Sequence, residues 1–406
     1  MINVAVLGYG TVGSGVVEVL TTNSDSIAKR AGDTINIKYV LDLRDFPGEP
    51  IEKVLVHDFD TIINDDEIDI VIEAMGGTEP AYTFAKASLE RGKSYCTSNK
   101  ELVAKYGPEL LELAKEKGKN FLFEASVGGG IPIIRPLNQS LTADEIMEIT
   151  GILNGTTNFI LTKMSKEGLT FDEVLKEAQE LGYAERNPAA DVEGYDACRK
   201  IAILSSLAYG KHVDYEEIYT EGITKITDTD FKYGEKLGLT IKLFGKSKRV
   251  GDKFYAMVAP FMISSDNPLY SVNDVLNGIL VKGNVIGDVM FYGAGAGKLP
   301  TASAVVADVV DAAKHIKTNI MTLWSSKKLN LDDIKNSEKR FFVRLKGDAK
   351  ERETELKEIF GDIKVITLDD VKGEFGVITP VMSEAKYEEA ASKASGIITR
   401  IRVESV

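Results

Sequence analysis

The sequence is poor in cysteine, histidine and long apolar runs, and each shortage removes a class of function. Its two cysteines, Cys96 and Cys198, stand far apart, with no Cys-x-x-Cys spacing and no histidine nearby. A disulfide framework or a zinc site needs more ligands, closer together. Both cysteines are expected to be reduced, buried and apolar in behaviour. The three histidines, His57, His212 and His315, are too scattered to suggest a transition-metal site. No apolar run approaches the roughly 18 residues of a membrane span, and no Lys/Arg-flanked hydrophobic segment precedes the first strand pattern. Basic charge is also in deficit. Lys and Arg number 49 against 62 Asp and Glu, a net charge of −13, where a nucleic-acid partner would want a basic face. The expectation is a cytoplasmic protein with neither a nucleic-acid nor a membrane partner. There is no low-complexity tract and no internal repeat.

What is present is 406 residues, enough for two or three domains. Short apolar runs at 3–8, 37–41, 68–74, 94–97 and 121–127 alternate with helical patterns beginning near 11, 81 and 108. Residues 23–36 look like an inserted loop. Strict alternation of this kind predicts a doubly wound parallel sheet, a Rossmann domain over 1–135 that is rejoined by a helix within 300–320. From 136 to 324 strands and helices no longer alternate, which predicts an α+β domain for substrate and dimerisation. Gly251-Asp252 marks a hairpin there. Residues 325–339 are polar, without apolar period, and are expected to be a linker. Residues 340–406 read strand, helix, strand, strand, helix, strand.

Gly8-Tyr9-Gly10-Thr11-Val12-Gly13 is a Gly-x-Gly-x-x-Gly between the first strand and the first helix. Alone the motif is weak; in this context it points to a dinucleotide. Gly8 permits the turn, Gly10 lets the pyrophosphate approach, and Gly13 lets helix and strand pack. The helix N-terminus at Thr11 and Val12 offers N–H groups to the anion. An acidic residue ending the second strand takes a ribose 2′-hydroxyl, and Asp42 fits, favouring NAD. Arg44, two residues on, fits a 2′-phosphate and favours NADP. The preference stays open, and the expected cofactor is NAD(P).

Two further stretches carry charge that solubility does not require. Thr97-Ser98-Asn99-Lys100 follows a predicted parallel strand, where ligands of such sheets bind. Residues 178–200 read AQELGYAERNPAADVEGYDACRK. Within them Asp196 and Lys200 are four apart and share a helix face, while Glu185 and Asp191 lie in the preceding loop. A surface Asp–Lys pair is the plain alternative, and such pairs contribute little.

With these motifs in hand, the chain resembles the homoserine dehydrogenases over essentially its whole length. The carriers are residues 178–200, the TSNK stretch at 97–100, FEASVGGGIP at 123–132, LNGTTN at 153–158 and the glycine loop at 293–301. The resemblance implies a reversible NAD(P)-dependent step between L-aspartate 4-semialdehyde and L-homoserine, on the path to threonine and methionine. It implies that Lys200 is the proton donor and acceptor, that Lys100 sits between cofactor and substrate, and that Asp196 orients Lys200. Glu185 and Asp191 are the implied partners of the substrate ammonium. Gly76 and Gly297 join the cofactor site. The family also binds a monovalent cation, usually sodium; its ligands map to Glu124 and to the main-chain carbonyls of Val127, Gly129 and Ile131. A homodimer or homotetramer is implied.

The 340–406 order resembles an ACT domain, a regulatory module that binds amino acids. Its first loop, Lys346-Gly347-Asp348-Ala349, lacks the Pro-Gly common there. A rival reading of the whole chain is a non-catalytic sensor of NAD(H) and amino acids. Such a sensor has no need of the Lys100, Glu185, Asp196 and Lys200 set.

Overall fold

The computed structural model describes residues 1–404, which form two compact units. The first unit comprises Met1–Glu145, Ala202–Tyr215 and Gly293–Leu329. Its sheet has six strands: β1 (Ile2–Leu7), β2 (Ile35–Leu41), β3 (Leu55–Val56), β4 (Ile70–Glu73), β5 (Ser94–Thr97) and β6 (Phe121–Leu122). They lie in the order β3-β2-β1-β4-β5-β6, and every neighbouring pair is parallel. The order reverses between β1 and β4, which opens the crevice where such sheets take a dinucleotide. Val4, Val6, Ile70, Ile72 and Cys96 from the strands pack with Val16, Leu20, Val305 and Val309 from the helices Thr11–Thr22 and Lys298–Lys314.

Four local expectations change here, each for a visible reason. The supposed loop after the first helix is a second helix, Ser24–Ala31, which buries only Ile27 and Ala31. So short an apolar stripe leaves little periodicity to read. The helix expected to begin at Pro108 begins at Lys100 and runs to Glu116. Asn99 caps it, its Oδ1 accepting the N–H groups of Glu101 and Leu102, each at 3.1 Å. Proline suits a first helical turn, so Pro108 mimicked a start that lies two turns earlier. The strand expected over 121–127 stops at Leu122, and Ala125–Gly128 is a helical turn. The stretch expected as a linker carries the strand Ser325–Lys328, paired in parallel with Lys211–His212.

The second unit comprises Ile146–Ile201, Glu216–Tyr292 and the described residues from Asn330 onward. In space its sheet runs Gly287–Ala294, Leu276–Gly283, Ile146–Ile152, Leu239–Val250, Lys253–Ser264, Ile397–Val403, Glu338–Lys346, Glu374–Ile378, Lys364–Ile366. Val250 pairs with Lys253 around Gly251, whose φ of +61° suits the hairpin turn. The C-terminal segment has the strand–helix–strand–strand–helix–strand order read from sequence. It has a core of its own, with Phe341, Val343, Leu356, Phe375 and Tyr387. Its sheet, however, is not separate. Ile397–Val403 pairs in parallel with Lys253–Ser264, through Phe261 with Arg402 and Met262 with Val403. Among the described residues, no helix is long and apolar enough to cross a membrane.

Candidate functional site

In the first unit the glycine turn has the geometry a pyrophosphate needs. Gly8 has φ +89°, a conformation that side chains other than glycine rarely adopt. A β-carbon on Gly13 would stand 1.8 Å from the Gly8 carbonyl oxygen, so only glycine lets the helix sit on the strand. Around Gly10 nothing lies within 4 Å. No side chain caps the helix Thr11–Thr22 that Gly10 begins, so its first N–H groups are left for an anion. A cavity of 840 Å³ adjoins the turn, lined by Gly8, Asp42, Arg44, His57, Met75 and Phe84 among others. These residues fit a dinucleotide. Gly76 lies just past β4, and Gly297, at φ +118°, begins the helix Lys298–Lys314.

Asp42 is already engaged. Its carboxylate accepts the Tyr9 N–H at 2.8 Å, the Arg44 N–H at 3.0 Å, and Arg44 Nε and Nη2 at 2.9 and 3.0 Å. The Arg44 guanidinium holds the carboxyl well below the usual carboxylate range. Those four bonds fill the positions a ribose hydroxyl would use. Arg44 itself is 62% exposed and lies over the Phe46 ring. Lys100, half-buried, is the first residue of the helix that Asn99 caps.

Glu124, one of the residues to which the cation ligands map, turns both side-chain oxygens toward main-chain amides. Oε1 accepts the N–H groups of Ile133 and Ile134 at 2.6 and 2.8 Å, and Oε2 that of Arg135 at 2.8 Å. The buried carboxylate thus ties the turn to the amides of residues 133–135. Val127 is in that turn and Gly129 follows it at φ +58°. A β-carbon on Gly129 would meet the Gly295 oxygen at 2.1 Å, so the two glycine loops touch backbone to backbone. Ile131, also buried, donates its N–H to the Gly128 carbonyl. Among the described residues no group of three or more His, Cys, Asp or Glu side chains is placed to hold a metal.

In the second unit Asp191, Asp196 and Lys200 do converge. Asp196 and Lys200 face each other on the helix Tyr195–Tyr209, with Nζ 2.8 Å from Oδ2. They are not a surface pair: their residues are 3% and 9% exposed. Lys200 Nζ also donates to the Leu153 carbonyl at 2.8 Å. Asn154, which went unnoticed within the LNGTTN motif, joins the group together. Its Nδ2 donates to Asp191 Oδ1 at 2.7 Å and to Asp196 Oδ2 at 2.8 Å. Its Oδ1 accepts the Thr157 N–H and caps the helix Gly155–Glu167. The signal was available, since an Asn just before a helical run is a cap candidate. Its second job, bridging two carboxylates 37 and 42 residues on, is invisible to local reading. Gly245 makes the cluster's helix possible: a β-carbon there would stand 2.7 Å from Leu153 Cδ1 and 3.2 Å from Ile201 Cβ. Glu185 is not part of the hydrogen-bonded group. It is exposed, between the helices Phe171–Glu180 and Ala189–Val192, and its carbonyl accepts Gln179 Nε2 at 3.1 Å.

Two family models match the chain: one described as homoserine dehydrogenase over residues 132–310, and one described as the homoserine dehydrogenase NAD binding domain over residues 8–124. The chain is 45% identical over 326 residues to the homoserine dehydrogenase of Bacillus subtilis (strain 168), covering 79% of this chain and 74% of the relative. It is similar to the crystal structure of a homoserine dehydrogenase from Thiobacillus denitrificans, at a TM-score of 0.92 and 37% identity, covering 100% of this chain and 98% of that one. A hyperthermophilic archaeal homoserine dehydrogenase solved in complex with NADPH is similar at a TM-score of 0.66 and 30% identity, over 77% of this chain and 97% of that one.

Proposed function

The chain belongs to the homoserine dehydrogenase family, and from that premise we propose which of its residues carry each part of the reaction. It is an NAD(P)-dependent oxidoreductase that interconverts L-aspartate 4-semialdehyde and L-homoserine. When bound, the nicotinamide gives hydride to the aldehyde carbon or takes it back. Lys200 delivers the proton that the aldehyde oxygen needs as hydride adds, and takes the hydroxyl proton in reverse. Asp196 keeps Lys200 oriented, and Asn154 holds Asp196 and Asp191 together. Lys100 supplies a second positive charge that stabilises the developing alkoxide. The observation that carries this reading is the Asn154–Asp191–Asp196–Lys200 cluster, buried at all but the half-buried Asp191, which a sensor without catalysis has no reason to build. The direct test is NAD(P)H oxidation. It should begin only when aspartate semialdehyde is added, and a folded protein that oxidises neither cofactor would sink the assignment.

Glu185 and Asp191 are the proposed partners of the substrate ammonium, and the exposure of Glu185 suits a carboxylate that waits for a ligand. Glu185→Gln is therefore expected to raise the KM for homoserine about tenfold, since a hydrogen bond to a charged group contributes about 1.5–3 kcal/mol. An unchanged KM with a lowered melting temperature would make Glu185 a loop anchor instead.

NADP(H) is the proposed preferred cofactor. Asp42 has its acceptor positions filled by Tyr9 and Arg44, whereas the exposed guanidinium of Arg44 can meet a 2′-phosphate. Arg44→Ala should raise the KM for NADPH about tenfold and leave that for NADH unchanged or lower. Equal losses with both cofactors would contradict the assignment. A monovalent cation at the 124–131 turn would be left with main-chain carbonyls, and no step of the reaction passes through it. The C-terminal segment, read as ACT-like, is proposed to serve assembly into a homodimer or homotetramer.

A further inference from the structure

Two loops of the first unit meet at one buried side chain that the reaction itself does not use, and a third packs against one of them. Glu73 closes β4, fully buried, with Leu7 of β1 and Thr97 of β5 as its register partners on either side. One carboxylate oxygen accepts the Thr97 hydroxyl at 2.6 Å, and the other accepts the Met75 N–H at 2.7 Å. Thr97 Oγ1 in turn accepts the Asn99 N–H at 2.9 Å. Asn99 then caps the helix that Lys100 begins, and its Nδ2 donates to the Gly77 carbonyl at 2.6 Å. On the opposite side, a β-carbon on Gly8 would stand 3.1 Å from Met75 Cγ. Met75 is therefore a wall of the glycine turn, and Glu73 sets where that wall stands.

A carboxylate buried this completely is unfavourable unless its hydrogen bonds compensate. Burial pushes the Glu73 carboxyl above its ordinary range, and the bonds from Thr97, Met75 and Asn99 pull the other way. An apolar residue would fill the strand end without that conflict. The carboxylate's distinguishing effect is to accept from two loops at once.

We propose that Glu73 is a positioning residue for the dinucleotide: its carboxylate sets the mutual placement of the Gly8–Gly13 turn, the Gly76-Gly77 turn and the helix start at Lys100. The proposal rests on reading those loops as the cofactor site. Each loop must present its donors to one ligand held in a single bound conformation, so a shift of one against the others weakens binding even when each stays folded.

The test is made on the full chain. Glu73→Gln keeps the shape but replaces one acceptor by an N–H₂ donor, which then faces either the Met75 N–H or the Thr97 hydroxyl. The expected result is a rise of at least tenfold in the NADPH Kd, read by cofactor fluorescence. The KM for aspartate semialdehyde at saturating NADPH should stay within about twofold. Thr97→Val breaks the same link without touching the carboxylate and should also weaken NADPH; it decides alone if Glu73→Gln does not fold. A merely structural role would lower the melting temperature and leave Kd unmoved, so NADPH binding within twofold of wild type in both variants overturns the proposal. Gly10→Val, which fills the open space at the turn, separates the two levels. If it weakens NADPH while the other two variants do not, only Glu73's role fails. If it too has no effect, the loops are not the cofactor site and both readings fall.

Discussion

Lys200→Ala is expected to lower kcat by about 10²–10⁴-fold, the range for a lost proton-transfer group, while the KM for NADPH stays within about twofold. The ammonium is buried and bonded to Asp196 Oδ2 and to the Leu153 carbonyl, so its placement does not depend on the cofactor loops. Alanine also leaves the Asp196 carboxylate buried with one fewer partner, and breaking a buried ion pair from one side costs about 3–5 kcal/mol. Circular dichroism and melting must therefore accompany the kinetics. Lys200→Arg separates charge from proton transfer. A guanidinium keeps the charge but does not give up its proton in the working range. If Arg restores most of kcat, the cation acts electrostatically; if it stays near the alanine level, the proton matters. A loss below about tenfold for Lys200→Ala would reassign the residue to structure.

How much of this was legible depends on how local each feature is. The glycine turn could be read because strand, glycines and helix are consecutive, and its backbone demands are met within six residues, Gly8 to Gly13. The facing of Asp196 and Lys200 could be read because helical spacing dictates it. Their burial could not: it depends on Gly245 of a distant strand, whose missing β-carbon lets the helix approach. Asn154 and Glu73 escaped for a similar reason. Each looks locally like a cap or a strand end, and acts through partners brought in by the fold. Glu124 shows the same limit: three main-chain amides claim its carboxylate, and only the folded turn brings them there. The C-terminal order of elements was plain from periodicity, but the pairing of its last strand with Lys253–Ser264 left no mark in either segment.

That pairing leads to the other large effect. A chain ended after Ser337 is expected to be insoluble or to melt at least about 10 °C lower, rather than to survive as a trimmed enzyme. The cut removes the strand that covers one edge of Lys253–Ser264, and a bare apolar edge of this kind invites aggregation. It also breaks ion pairs made inside the second unit. Arg402 is fully buried and, besides Glu384 of its own segment, bonds Glu221 at 2.7 Å. Arg344 meets the fully buried Asp230 at 2.9 Å. Burial pushes Glu221 up, but Arg402 and Arg400 outweigh it and hold it below the usual range, so that carboxylate is tuned to partners the cut deletes. Losing one side of a buried pair costs about 3–5 kcal/mol, and two such losses rival the ~5–15 kcal/mol that keeps a domain folded. Water reaching the bared groups returns part of this, though it does nothing for the open strand edge. Arg402→Met isolates the ionic part. It keeps the strand, leaves Glu384 and Glu221 facing an apolar side chain, and should lower the melting temperature by roughly 10 °C, at about 2–4 °C per kcal/mol for a unit of this size. Its kcat at 25 °C should stay near wild type, because Arg402 makes no bond to the Asn154–Lys200 cluster. A soluble truncated chain with at least half the wild-type activity would show instead that the C-terminal segment is a detachable module and that the shared sheet contributes little.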